Sequence, residues 1–228
     1  MQSTEKRIFF AHQSVGGNII QGIEDIIAQN HIRDIQIQTK PSLFSGLAIY
    51  HKKIGQNADP LSKLTDFSEQ LLSLPQQMDI ACLKFCYVDI KHDTKIEPLF
   101  EQYQATMRTI QQAQPTLRIL HVTTPLRKEP SELSYRLRKC LGQVSNKLLD
   151  NQKRNHYNQL MRHHYANEDI FDLAKLESTL PSGKACYTKL KGEKIFQLAP
   201  CYTEDGGHLN LLGSQYIADH FIKKLRAI

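Results

Sequence analysis

The run DIACLKFCYVDI, residues 79–90, constrains this chain more than any other stretch. It is mostly apolar, without the alternation of a half-exposed strand. A strand apolar on both faces belongs inside a parallel sheet that is covered by helices on each side. Parallel neighbours in turn need crossover segments, usually helical. The rest of the sequence supplies them.

RIFFA (7–11) reads as a first strand, and Ile19, Ile23, Ile26 and Ile27 mark one helical face up to Asn30. IQIQT (35–39) alternates as a second strand. A loop rich in Gly, Ser and Asn follows from Pro41 to Pro60, and Leu61, Leu64, Phe67, Leu71 and Leu72 then give a helix stopped by Pro75. Beyond the central run, Leu99, Tyr103, Met107 and Ile110 repeat at helical spacing as far as Pro115. LRILHVTTP (117–125) is a fourth strand, a helical region runs from about 141 to 165, and IFDLAKL (170–176) is a fifth strand. After an irregular segment, 180–207, a final helix carries Leu211, Leu212, Tyr216, Ile217, Phe221 and Leu225. These elements predict one α/β domain over residues 1–228, three layers deep, with a five-stranded parallel sheet in the order 2-1-3-4-5 and right-handed crossovers. Ligands bind such sheets beyond the carboxyl ends of the strands, where Ser14, Val88–Asp89 and Thr123–Thr124 fall.

The chain of 228 residues has a formal net charge of +6. Much of the basic excess lies between Arg127 and Arg154, with Arg136, Arg138, Lys139, Lys147 and Lys153, interspersed with Glu129, Glu132 and Asp150. No zinc-finger spacing, aromatic RNA-binding motif or heptad-linked basic region accompanies it, so it reads as a solvated helical face and no nucleic-acid partner is expected. The 5 cysteines, at 82, 86, 140, 186 and 201, show no CxxC spacing. Cys82 and Cys86 read as core residues, while a bridge between Cys186 and Cys201, which flank a candidate hairpin, is left open. No stretch approaches the ~18 apolar residues of a membrane span. MQSTEKR carries no apolar signal-peptide core. The compartment is therefore left open: extracytoplasmic if a signal was trimmed, otherwise cytoplasmic.

Ser14 stands between the first strand and the first helix. Serine there is a favoured N-cap, worth about 1 kcal/mol. The surrounding HQSVGGN matches neither GxGxxG nor the P-loop, so no nucleotide cofactor is expected. At the other end, EDGGHLN puts Asp205 three residues before His208, directly ahead of the last helix. A serine hydroxyl becomes nucleophilic when a base takes its proton, histidine suits that task, and a carboxylate on the other ring nitrogen fixes the tautomer.

Together these two ends resemble the SGNH, or GDSL-like, hydrolase superfamily, whose nucleophilic serine follows the first strand and whose D-x-x-H motif precedes the last helix. The resemblance implies a flavodoxin-like sheet, Ser14 as nucleophile, His208 as base, Asp205 as its orienting acid, and hydrolysis of an ester. The family pattern is not complete. His12-Gln13-Ser14 stands in place of Gly-Asp-Ser, and Cys86-Tyr87-Val88-Asp89 in place of Gly-x-Asn-Asp, so the asparagine that donates to the oxyanion is absent from its usual position. The glycine of the family's second block is expected between the second strand and the next helix, where Gly46 and Gly55 are candidates. IGQNADP is the compact turn, so Gly55 is preferred as a backbone donor, with the Asn57 amide as a replacement side-chain donor.

Other candidates are placed more simply. His12 would line the pocket, and Asp89 would bind a substrate hydroxyl or hold the loops. Asp172 would anchor loops, His163 and His164 would sit on the surface, and His51, Lys52 and Lys53 would be solvated side chains near the turn. No metal-ligand spacing is present, so no metal is expected. The reading is a serine esterase acting on a small-molecule or glycan ester, a short acyl group on a sugar being preferred. An acyltransferase using the same residues and a glycan-binding protein without turnover are the alternatives, and the oligomeric state is left open.

Overall fold

The computed structural model describes residues 5–129 and 144–228. Among them the strands are β1 (Lys6–His12), β2 (Ile35–Gln38), β3 (Leu47–Lys53), β4 (Ile80–Leu83), β5 (Arg118–Ile119), β6 (His121–Val122), β7 (Ile170–Phe171), β8 (Tyr187–Leu190) and β9 (Glu193–Phe196). The helices are α1 (Val15–Asn30), α2 (Pro60–Leu72), α3 (Ile96–Ala113), α4 (Asn146–His164), α5 (Leu173–Glu177) and α6 (Leu211–Ala227).

A five-stranded parallel sheet runs β2-β3-β1-β4-β5. After Leu120 the chain continues as β6, which pairs in parallel with β7. The strands read from the sequence therefore stand in the expected order, with β3 inserted between the second and the first. That insertion corrects the loop expected over 41–60. LAIYHKK is obscured in the sequence by the Gly, Ser and Asn around it, yet Leu47, Ala48, Ile49 and Tyr50 are buried between two neighbours. Gly46, at φ 141°, makes the entry: its carbonyl accepts from Lys6 N–H, and a Cβ there would meet the Asp34 carbonyl oxygen at 2.5 Å.

Two further elements are shorter than expected. Strand character in 79–90 ends at Leu83, and a 3-10 turn takes Tyr87–Asp89. IFDLAKL keeps only Ile170–Phe171 as strand, because the Asp172 carboxylate accepts from Lys175 N–H and starts α5. Asp172 also pairs with Arg162 at 2.7 Å, which is the anchoring expected of it.

Alternation in the strands divides the core. Ile8, Phe10 and Cys82 face α1 and α6, where Ile19, Ile23, Ile217 and Phe221 pack. Phe9, Ala11, Ala81 and Leu83 face α2, α3 and α4 through Phe67, Phe100, Tyr103 and Tyr157. Burying such a side chain contributes about 1.5–3 kcal/mol. On α2 the buried stripe is Lys63, Leu64, Phe67 and Leu71, while Leu61 and Leu72 are exposed.

The buried face of α4 carries polar residues beside Leu148, Tyr157 and Met161. Asn158 donates to the Thr124 carbonyl and accepts from Thr124 N–H, and Asn151 does the same with Arg127. These amide clamps hold the chain leaving β6 as if it were paired in a sheet. Arg154 is also buried, with Nε on the Tyr87 carbonyl at 2.8 Å. That corrects the expected solvated basic face at Arg154, whereas Lys147 is exposed as expected. Arg136, Arg138, Lys139, Glu132 and Cys140 lie outside the described residues. Cys186 and Cys201 are free thiols around the β8–β9 hairpin. No helix among the described residues is long and apolar enough to cross a membrane.

Helices α1 and α6 touch at Gly22, where a Cβ would fall 2.4 Å from the Ser214 carbonyl oxygen and 3.0 Å from the Ala218 Cβ. Gly22→Ala must push the helices apart, and overpacking of this kind costs about 1–3 kcal/mol. Gly17, where an added Cβ would meet nothing within 4 Å, is the control. Gly17→Ala is expected to be neutral or stabilising by up to about 1 kcal/mol, given the helix preference for alanine. Urea denaturation of the two variants checks the contrast.

Candidate active site

The turn from β1 into α1 holds Ser14 at φ 48° and ψ −110°, a conformation that L-residues avoid. Ser14 makes no side-chain cap bond to its helix. Its Oγ instead lies 2.7 Å from His208 Nε2. The capping explanation of this serine is thereby set aside: the hydroxyl has turned from the helix end toward a histidine 194 residues away.

His208 sits on the turn before α6, whose N-cap is Asn210, accepting from Gly213 N–H. The ring is therefore not spent on capping. Asp205 Oδ2 lies 2.6 Å from His208 Nδ1, and Asp205 Oδ1 accepts from the N–H groups of Gly207 and His208, both at 2.8 Å. Burial acts to raise the Asp205 carboxyl, but the ring and backbone donors outweigh it and hold the group well below the usual carboxylate range. The carboxylate stays charged wherever the imidazole needs a partner. Asp205 and His208 are both about half exposed, so the array opens to solvent.

Ser14, His208 and Asp205 thus converge as expected. The other expected site residues do not all follow. Gly55 N–H donates to Asp66 Oδ2 at 2.8 Å, so it is not free for an oxyanion, and this corrects its expected role. Gly55 takes φ 53° and lies so close to Lys63 that a Cβ would sit 2.7 Å from the Lys63 backbone. Its function here is to let the turn pack on α2. The adjacent Asn57 is exposed, with Oδ1 accepting from Lys63 Nζ at 3.3 Å, and that contact leaves its NH2 group without a partner among the described residues. The turn itself is tied to the serine by Gln13, which donates to the carbonyls of Ile54 and Gly55.

Asp89 does not face the cleft. It is buried and accepts from Ala58 N–H, Cys86 N–H and, at 2.6 Å, Lys63 Nζ, an ion pair with both side chains fully enclosed. All its bonds join the 54–59 turn and α2 to the loop after β4, so the loop-holding alternative is the one observed and the substrate-hydroxyl role is corrected. His12 is likewise buried: it lies under Gly16, where a Cβ would be 2.3 Å from its own, and its Nε2 bonds His51 Nδ1 at 3.0 Å. Pocket lining is corrected to support beneath α1. His163 and His164 are on the surface as expected.

Sequence reasoning missed two residues next to this array. Lys63 stands four residues before Phe67, which puts it on the apolar stripe of α2. Tyr87 packs its ring edge-on to His208, with centroids 5.8 Å apart, and Arg127 lies 5.0 Å over the ring. Among the described residues no group of three or more His, Cys, Asp or Glu could hold a metal ion.

Comparison with known proteins bears on this geometry through fold alone. No family model and no curated protein matches the sequence. Solved structures do match. A protein described as a GDSL-like lipase from Parabacteroides merdae is 13% identical with a TM-score of 0.55, and 100% of each chain is covered. One described as a lipolytic protein of the G-D-S-L family from Desulfitobacterium hafniense is 6% identical with a TM-score of 0.53, covering 96% of this chain and 99% of that one. This chain has the fold of the SGNH, or GDSL-like, hydrolases. The same fold relates it to the periplasmic domain of a lipopolysaccharide acetyltransferase from Salmonella ser. Paratyphi A, at 13% identity, a TM-score of 0.50, and 99% and 85% coverage. Within that GDSL-like frame, Ser14 follows the first strand and His208 precedes the last helix.

Two measurements test the supporting residues. Asp89→Ala strands the Lys63 charge in the interior, and loss of one partner of a buried pair costs about 3–5 kcal/mol. The expected result is a marked drop in unfolding free energy, and an unchanged denaturation midpoint would contradict it. For His12, burial, with Lys84, His51 and Lys53 nearby, pushes the ring down to about 3. An unfolded histidine titrates near ~6.5. Between those values only the unfolded chain binds this proton, so His12 makes stability fall as pH drops, by about 1.4 kcal/mol per pH unit. His12→Asn removes that contribution, so the decline of unfolding free energy from about pH 6 to pH 4 should be shallower by about 1 kcal/mol per unit.

Proposed function

We propose that this GDSL-like chain is a serine esterase acting through an acyl-enzyme on Ser14. The observation that carries the reading is the 2.7 Å contact between Ser14 Oγ and His208 Nε2, backed by Asp205 at 2.6 Å on the other ring nitrogen. His208 takes the Ser14 proton as the oxygen attacks the ester carbonyl. Asp205 holds the tautomer with Nδ1 protonated and stabilises the imidazolium that forms. The imidazolium then protonates the leaving alcohol, and water, activated by the same ring, releases the acyl group.

Charge on the carbonyl oxygen needs donors. Ser14 N–H has no partner among the described residues. Asn57 is the second donor in this reading: its oxygen faces Lys63, which turns the NH2 group away from that contact.

The substrate is proposed as a short acyl ester, such as acetyl, on a carbohydrate. The half-exposed triad supports a polar alcohol reaching the site from solvent. The same openness admits water and favours hydrolysis over transfer to a second sugar.

Incubation with a fluorophosphonate probe and 4-nitrophenyl acetate, followed by peptide mapping, tests the reading. Label is expected on Ser14 with parallel loss of turnover, and Ser14→Ala and His208→Ala should each remove nearly all turnover. Turnover retained in Ser14→Ala would exclude the serine as nucleophile.

A further inference from the structure

Val88 stands where a GDSL-like hydrolase places the asparagine amide that binds the oxyanion, and its neighbour Tyr87 carries a hydroxyl donor. The Tyr87 hydroxyl end lies against the triad loop: a Cβ on Gly207 would be 2.9 Å from Tyr87 Cζ and 3.0 Å from its Oη. The ring meets His208 edge-on at 5.8 Å, and that histidine's Nε2 lies 2.7 Å from Ser14 Oγ.

Both flanks of this residue are fixed. Cys86 N–H is held by Asp89 at 2.6 Å, and the Tyr87 carbonyl by Arg154 at 2.8 Å. Arg127, 5.0 Å over the ring face, covers the side chain. A buried phenol thus stands beside the Ser14–His208 pair, where its O–H is at hand for a substrate oxygen bound next to Ser14.

We propose that Tyr87 is a catalytic residue, its hydroxyl donating to the oxyanion as a further donor beside Ser14 N–H and Asn57. The proposal rests on the serine-esterase reading. As the Ser14 Oγ–carbon bond forms, the Oγ proton passes to His208 Nε2 and the carbonyl π pair moves onto its oxygen. Tyr87 donates a hydrogen bond to that oxygen without giving up its proton. The bond relaxes when the pair returns and the alcohol leaves. Burial, the largest influence on this phenol, raises its pKa, so it remains protonated and able to donate.

Tyr87→Phe keeps the ring, the Arg127 contact and the packing on Gly207, and removes only the hydroxyl. Loss of one oxyanion donor lowers kcat by roughly 10²–10³-fold. With 4-nitrophenyl acetate, Tyr87→Phe should therefore lose roughly 10²–10³-fold in kcat with KM and thermal midpoint unchanged, and should react more slowly with the fluorophosphonate at Ser14. Wild-type kcat in Tyr87→Phe, beside abolished turnover in Ser14→Ala, would overturn the proposal and leave the esterase reading standing. A raised KM with kcat intact would also overturn it, since the hydroxyl would then contribute only uniform binding. Turnover surviving in Ser14→Ala, or wild-type protein with neither turnover nor label, would overturn the esterase reading and this assignment with it.

Discussion

The approach of α1 to α6 at Gly22 is the contact on which the candidate site depends. Ser14 begins α1 and His208 directly precedes α6, so the distance between them is set by how those helices cross. With no side chain at position 22, the α1 backbone can rest on the Ser214 carbonyl. Both helices also bury their apolar faces on the same side of the sheet, on Phe10 and its neighbours. A hydrogen bond of 2.7 Å across 194 residues is thus the end point of a packed interface, not of a local turn. Its net worth of about 0.5–1.5 kcal/mol would be far too small to organise the chain ends by itself.

Beneath the loops, buried polar groups do a different job from the apolar core. Lys63 and Asp89 are fully enclosed, and two such charges recover their desolvation cost only when the remaining bonds are made. Here they are: Asp89 also accepts from Ala58 and Cys86, and Lys63 reaches Asn57. One ion pair therefore sets the relative position of the two loops beside Ser14. The amide clamps of Asn151 and Asn158 do the same for the segment ending at Arg127, which continues to a bond between Lys128 N–H and the Gly206 carbonyl.

What could be read from the sequence follows from how local each signal is. The parallel sheet was legible because a continuous apolar run has few other uses, and the Ser14–Asp205–His208 set because a short motif stands at each end of the chain. The strand at Leu47–Lys53 was hidden by its flanks, as its burial comes from β1 and β2 and not from its own pattern. Gly55 looked like a free donor because the carboxylate that takes its N–H lies on the next helix, at Asp66. His12 was placed in the pocket from its adjacency to the serine, but strand alternation turns it under Gly16, where its ring meets Phe10. Arg154 and Asn151 were invisible for a related reason: they share the buried face of α4 with Leu148, Tyr157 and Met161, and the backbone groups they bond belong to distant segments.

The serine itself shows how these levels meet. A cap bond would have let Ser14 contribute to α1 in an ordinary conformation; instead it holds φ 48° and leaves the helix end without its side chain. Such backbone strain costs on the order of 1–3 kcal/mol and persists only where the surroundings impose it. The surroundings do so from three sides: β1 fixes the approach, Gln13 binds the 54–55 turn, and Gly16 seats the helix on His12. The residue is therefore stable in this pose only because α1, the turn and the sheet are already in place. A hydroxyl delivered in that way is aligned before any substrate arrives, and little of the entropy of orienting it is left to be lost when a reaction begins.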